Sequence, residues 1–119
     1  MSTRITVLVV EDEVLLRMDI SDQLQDMGFK VLEAASADEA TILLAANEDI
    51  QVMFTDIDMP GSMDGLKLAA AVRDRWPPVK IIVTSGHRHM SDDTLPIVGR
   101  FFSKHYDPSR VLHAIREMI

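Results

Sequence analysis

Apolar residues in this chain fall into short unbroken runs and longer stretches with helical spacing, and the two patterns alternate from end to end. Residues 5–10 form a run rich in β-branched side chains that stops at Glu11-Asp12-Glu13, which predicts a strand buried on both faces. Over residues 14–27, Leu16, Ile20, Leu24 and Met27 recur three and four apart, predicting a helix with one apolar stripe that ends at Gly28. Lys30–Ala34 reads as a second strand, and Ser36-Ala37-Asp38-Glu39 is a capping box opening a helix that continues to Ala46. Residues 51–55 make a third strand leading into Asp56, where a sharp turn is expected to leave the carboxylate facing open space. After the loop at residues 60–65, a helix from Leu66 must stop at Trp76-Pro77-Pro78, because proline cannot continue it. Residues 80–84 form a fourth buried strand closing on Ser85-Gly86. Residues 87–99 carry no clear period, and Pro96 interrupts any helix there. Phe101-Phe102-Ser103 is a short fifth strand ending at Lys104, and Asp107-Pro108 starts a last helix with Val111, Leu112, Ile115 and Ile119 on its apolar face.

Five strands alternating with five helical segments imply an α/β fold with a parallel sheet, right-handed crossovers and helices on both faces. Ligands of such sheets bind outside the carboxyl ends of the strands. The polar residues that interrupt the pattern lie at those ends: Glu11 and Asp12 after the first strand, Asp56 after the third, Ser85 after the fourth and Lys104 after the fifth.

Length and composition narrow the function. At 119 residues the chain is one domain's worth, and 47% hydrophobic with 26% charged residues is ordinary for a folded soluble protein. A formal charge of −7 argues against direct DNA binding, which draws on clustered Lys and Arg. No cysteine is present, so disulfide and thiolate chemistry are excluded. The apolar run at residues 5–10 is too short for a membrane span or signal sequence, and a cytoplasmic location is expected.

Three carboxylates crowded at one rim repel one another unless a cation gathers them, and hard oxygen ligands with room for water and phosphate suit Mg²⁺. Asp56 beside such an ion and Lys104 can attack a phosphoryl donor while Lys104 and the Ser85 hydroxyl hold the transferred oxygens. The aspartyl phosphate adds charge that can draw their loops inward and bias a two-state surface. Ser85 is preferred to Thr84 because a small residue follows it. His87 and His89 supply too few ligands for zinc.

With Val9-Val10-Glu11-Asp12-Glu13, Thr55-Asp56-Ile57-Asp58-Met59-Pro60, Ser85-Gly86 and Lys104 in this order and spacing, the chain resembles the receiver domain of two-component response regulators along nearly its whole length. The resemblance implies a flavodoxin-like fold with strand order 2-1-3-4-5. It implies that Asp56 accepts phosphate from a phosphohistidine of a sensor histidine kinase or a histidine phosphotransfer protein. Mg²⁺ would be held by Asp12, Asp56 and the Asp58 main-chain carbonyl, with Glu11 acting through water. Ser85 and Lys104 would bind the phosphoryl group. Phe101 matches an aromatic position that rotates on activation in many receivers, although an aromatic in a short buried strand ordinarily just packs. Residues 1–119 are expected to be one receiver domain, and Met1 with the final helix suits a stand-alone regulator.

Three departures from the family pattern stand out. His105 occupies the place of a proline, which disfavours a cis peptide there because non-proline cis bonds cost about 2.5–4 kcal/mol. The loop after Pro60 has an extra residue before Asp64-Gly65. The stretch from Ser85 to Lys104 is about one helical turn short, so a short or irregular fourth helix is expected. Many receivers dimerise through that helix, so this departure speaks against dimerisation by that route. On the first helix Val14, Leu15 and Met18 point away from the buried stripe near the acids, a candidate docking patch for a kinase or phosphotransfer helix.

Two alternatives come from these same residues and one from the fold. A degenerate receiver would bind partners without phosphorylation. A haloacid-dehalogenase-type phosphohydrolase would use Asp56-Ile57-Asp58, but that family carries the pair on its first strand with threonine where Pro60 stands. A flavin module would need a phosphate loop where Glu11-Asp12-Glu13 would repel it.

Overall fold

The computed structural model describes residues 4–57, 65–85, 100–103 and 107–119. In chain order these form β1 (Thr6–Val10), α1 (Val14–Asp26), β2 (Lys30–Ala34), α2 (Ala37–Ala46), β3 (Ile50–Asp56), α3 (Gly65–Arg75), β4 (Lys80–Ser85), β5 (Arg100–Ser103) and α4 (Pro108–Met118). All five strands are parallel, in the order β2-β1-β3-β4-β5. This is the flavodoxin-like arrangement that the family resemblance implied. The expected short or irregular helix within residues 87–99, the loop containing Asp58, and Lys104 with His105 lie outside the described residues.

The three central strands β1, β3 and β4 are buried almost throughout because the sheet is covered on both sides, whereas edge strand β2 exposes Lys30 and Glu33. The period-two alternation of the apolar residues divides the interior into two cores. Leu8, Val10, Met53, Ile81 and Val83 pack with Ala40 and Leu44 of α2 and Leu68, Ala69 and Val72 of α3. Val7, Val9, Val52, Phe54 and Ile82 pack with Ile20 and Leu24 of α1 and Val111 and Ile115 of α4. Phe101 joins the first core and Phe102 the second, each partly buried.

Local chemistry sets the element ends. Gly28 has φ +98, and the Phe29 and Gly28 amides donate to the carbonyls of Leu24 and Gln25, so α1 closes in a Schellman motif with Phe29 buried beside Leu24. Ser36 caps α2 by accepting from the Glu39 amide, while the Glu39 carboxylate takes the Ala35 amide rather than that of Ser36, a capping box reaching one residue further back. Asp107 caps α4 by accepting from the Ser109 amide and hydroxyl. The Ser109 amide, then its hydroxyl, holds the Asp107 carboxyl below its ordinary range, so the charged cap persists from neutral pH down and is lost only in acid.

The third and fourth strands run one residue further than their apolar patterns, taking in Asp56 and Ser85. Ladder hydrogen bonds come from the backbone, which is indifferent to side-chain polarity. Asp56 stands in register with Thr84, and the Ile57 amide donates to the Thr84 carbonyl at 2.8 Å. The expectation that Asp56 faces open space is therefore corrected: the residue is only 3% exposed and belongs to the ladder.

Candidate functional site

β1 and β3 are neighbours in the middle of the sheet, so their carboxyl ends bring residues 45 positions apart in sequence to one rim. One carboxylate oxygen each from Glu11, Asp12 and Asp56 lies within 4.8 Å of the others. Glu11 is 2% exposed, Asp56 is nearly as buried, and Asp12 is open to solvent. At an effective dielectric of 20, two full charges 4.8 Å apart repel by about 3 kcal/mol, and less for pairs that include the solvated Asp12. Oxygens in octahedral coordination at Mg²⁺ distances sit up to about 4.2 Å apart, so this donor set fits such an ion after a small contraction or with one carboxylate acting through water.

A cavity of about 280 Å³ opens beside the acids, lined by Glu11, Asp56, Thr84, Asp19, Gln23 and Pro108 among others. It gives the buried Asp56 carboxylate access from the α1 and α4 side. Beneath Asp56 the backbone is held closely. The first residue of α3, Gly65, donates its amide to the Ile57 carbonyl, and a Cβ there would run into the Asp56 carbonyl oxygen and come within 2.7 Å of the Asp56 carbonyl carbon.

The sequence model of the response regulator receiver domain matches residues 7–116. The chain belongs to that family. It is 32% identical over 118 residues to the hydrogenase transcriptional regulatory protein HoxA of Cupriavidus necator, covering 96% of this chain and 24% of HoxA. It is 33% identical over 118 residues to the sensor kinase CckA of Brucella abortus, covering 96% of this chain and 12% of CckA. The chain thus spans a quarter or less of these relatives. The crystal structure of a response regulator receiver protein from Sinorhizobium medicae superimposes with a TM-score of 0.86 at 25% identity, over 97% of this chain and 94% of that one.

Of the residues that the sequence marked in this receiver, the structure brings Glu11, Asp12 and Asp56 together and places Ser85 at the adjoining end of β4, buried. Asp58 and Lys104 lie outside the described residues. Phe101 is a partly buried core side chain in register with Val83. On α1, Leu15 is 76% exposed, and Val14 and Met18 are also exposed, so the candidate docking patch is an open apolar surface beginning two residues after Asp12.

Sequence reasoning weighed Thr84 only as the alternative to Ser85 and missed Asp19 and Gln23, although all three share the cavity wall with Asp56. It also missed Arg17. The available signal was an arginine in the first turn of a helix, where the macrodipole disfavours a cation. No described helix is long and apolar enough to cross a membrane.

Proposed function

We propose that this receiver takes a phosphoryl group from the phosphohistidine of a sensor histidine kinase or phosphotransfer protein onto Asp56. A carboxylate oxygen attacks phosphorus, the P–N bond breaks and the imidazole leaves. The observation that carries the reading is the cluster of carboxylate oxygens from Glu11, Asp12 and Asp56 within 4.8 Å, with Asp56 lining a cavity. Asp12 and Asp56, with the Asp58 main-chain carbonyl, would hold Mg²⁺, and Glu11 would act through water. The ion would neutralise charge on the phosphoryl oxygens. Ser85 and Lys104 would bind those oxygens, and Phe101 would follow the movement of the strand ends.

Asp56 stands on the third strand rather than the first, which speaks against the haloacid-dehalogenase reading, and the acids speak against a flavin phosphate. We read residues 1–119 as one receiver domain acting in the cytoplasm, with a protein rather than DNA as its direct partner.

The exposed Val14, Leu15 and Met18 would seat the donor's helix. With acetyl phosphate and Mg²⁺ the wild-type chain is expected to take up one phosphoryl group. Leu15→Asp is expected to keep that reaction and slow transfer from a phosphohistidine donor at least 10-fold, because a charge in an apolar contact costs well over 1 kcal/mol. Wild-type uptake from neither donor contradicts the acceptor role, which would favour the degenerate reading. Equal loss from both donors in the variant contradicts the docking role.

A further inference from the structure

Arg17 begins in an unfavourable place for its charge, the first turn of α1, and its side chain folds back toward the sheet. It is 17% exposed, its Nη1 donates to the main-chain carbonyl of Glu11 at 2.8 Å, and its Nε lies 3.4 Å from Oε1 of Glu33 on β2. The Glu11 amide meanwhile donates to the Ala34 carbonyl at the end of β2, at 3.0 Å. The main chain of Glu11 is thus held on both sides. Its N–H is bound by the last residue of β2, and its C=O by a guanidinium anchored to that same strand.

We infer that Arg17 is a positioning residue for the cation site, fixing the peptide from which the Glu11 and Asp12 carboxylates project toward Asp56. This rests on the Mg²⁺ reading above. With the Glu11 amide and carbonyl both engaged, the turn out of β1 has little freedom. Glu11 is directed inward and Asp12 to the rim, the arrangement in which the three carboxylates converge. A planar guanidinium can serve a carbonyl on one edge and a carboxylate on another, whereas the compact ammonium of lysine lacks that fork.

The sign of the effect separates positioning from simple charge. If Arg17 were only a nearby cation, removing it would make the acidic site more negative and tighten Mg²⁺ binding. If it positions the carboxylates, removing it loosens the turn and weakens binding.

The test is a Mg²⁺ titration followed by amide chemical shifts at fixed ionic strength, on wild type, Arg17→Ala, Arg17→Lys and Glu33→Gln, each checked by thermal melting. Supporting outcomes are saturable wild-type binding, about 10-fold weaker binding in Arg17→Ala, as for other residues that orient metal ligands, and Arg17→Lys closer to alanine than to wild type. Glu33→Gln keeps Arg17 but loosens its anchor, and should weaken binding in the same direction by less. It therefore keeps the inference testable should Arg17→Ala not fold. Mg²⁺ binding by Arg17→Ala as tight as wild type or tighter, or full recovery by lysine, overturns the inference alone. A folded wild-type chain that binds no Mg²⁺ overturns the Mg²⁺ reading and this inference with it.

Discussion

Gly65→Ala is expected to lower folding stability by about 3 kcal/mol, the upper end of the usual cost of overpacking, and to displace Asp56. The new Cβ would overlap the Asp56 carbonyl oxygen and approach the Ile57 Cα to 2.7 Å. These atoms are main chain, so no side chain can rotate aside to make room. Nor is β3 free to yield, since Asp56 is in register with Thr84 and the Ile57 amide is bonded to the Thr84 carbonyl. The first turn of α3 must give way, breaking the hydrogen bond that the Gly65 N–H donates to the Ile57 carbonyl, or β3 must shift. Urea unfolding monitored by circular dichroism checks the cost, and unchanged stability with unchanged Mg²⁺ affinity would contradict it.

Asp12→Asn should separate stability from function. Without divalent cations, removing one of three converging charges is expected to raise stability by about 1 kcal/mol, a modest gain because Asp12 is solvated and its repulsion screened. Mg²⁺ affinity should fall by about 100-fold, the severe end of what perturbing a metal site costs. Wild type should gain stability from Mg²⁺ by mass action, about 2.7 kcal/mol at 100 times its dissociation constant, and the variant only about 0.4 kcal/mol at that concentration. Thermal melts with chelator and with Mg²⁺ measure both effects. A variant less stable than wild type in chelator, or still stabilised by Mg²⁺ to the same degree, would count against the carboxylates as a shared cation site.

Much of the architecture was readable because few features compete with the hydrophobic pattern. Strands buried on both faces require a parallel sheet with covering helices, and that sheet in turn places Glu11, Asp12 and Asp56 at one rim. The stop at Gly28 and the caps at Ser36 and Asp107 were legible because each uses residues a few positions apart. Interactions made by the main chain were not legible. Nothing in the apolar period shows that the β3 ladder continues through Asp56, that the carboxylate is buried there, or that Gly65 must approach its carbonyl. Arg17 escaped notice for the same reason, since its hydrogen-bond partner is a peptide carbonyl with no signature in the sequence. The choice of Ser85 over Thr84 rested on the residue that follows, whereas register puts Thr84 directly beside Asp56.

The most consequential expectation is that the buried carboxylate on β3 takes up a phosphoryl group as an acyl phosphate. Incubation with acetyl phosphate and Mg²⁺, followed by intact-mass and peptide mass spectrometry of wild type and Asp56→Asn, tests it most directly. A single added phosphoryl group is expected that maps to Asp56 in the wild type, is absent from the variant, and does not form when Mg²⁺ is chelated. A phosphoryl group on another residue, or equal uptake by Asp56→Asn, would contradict it.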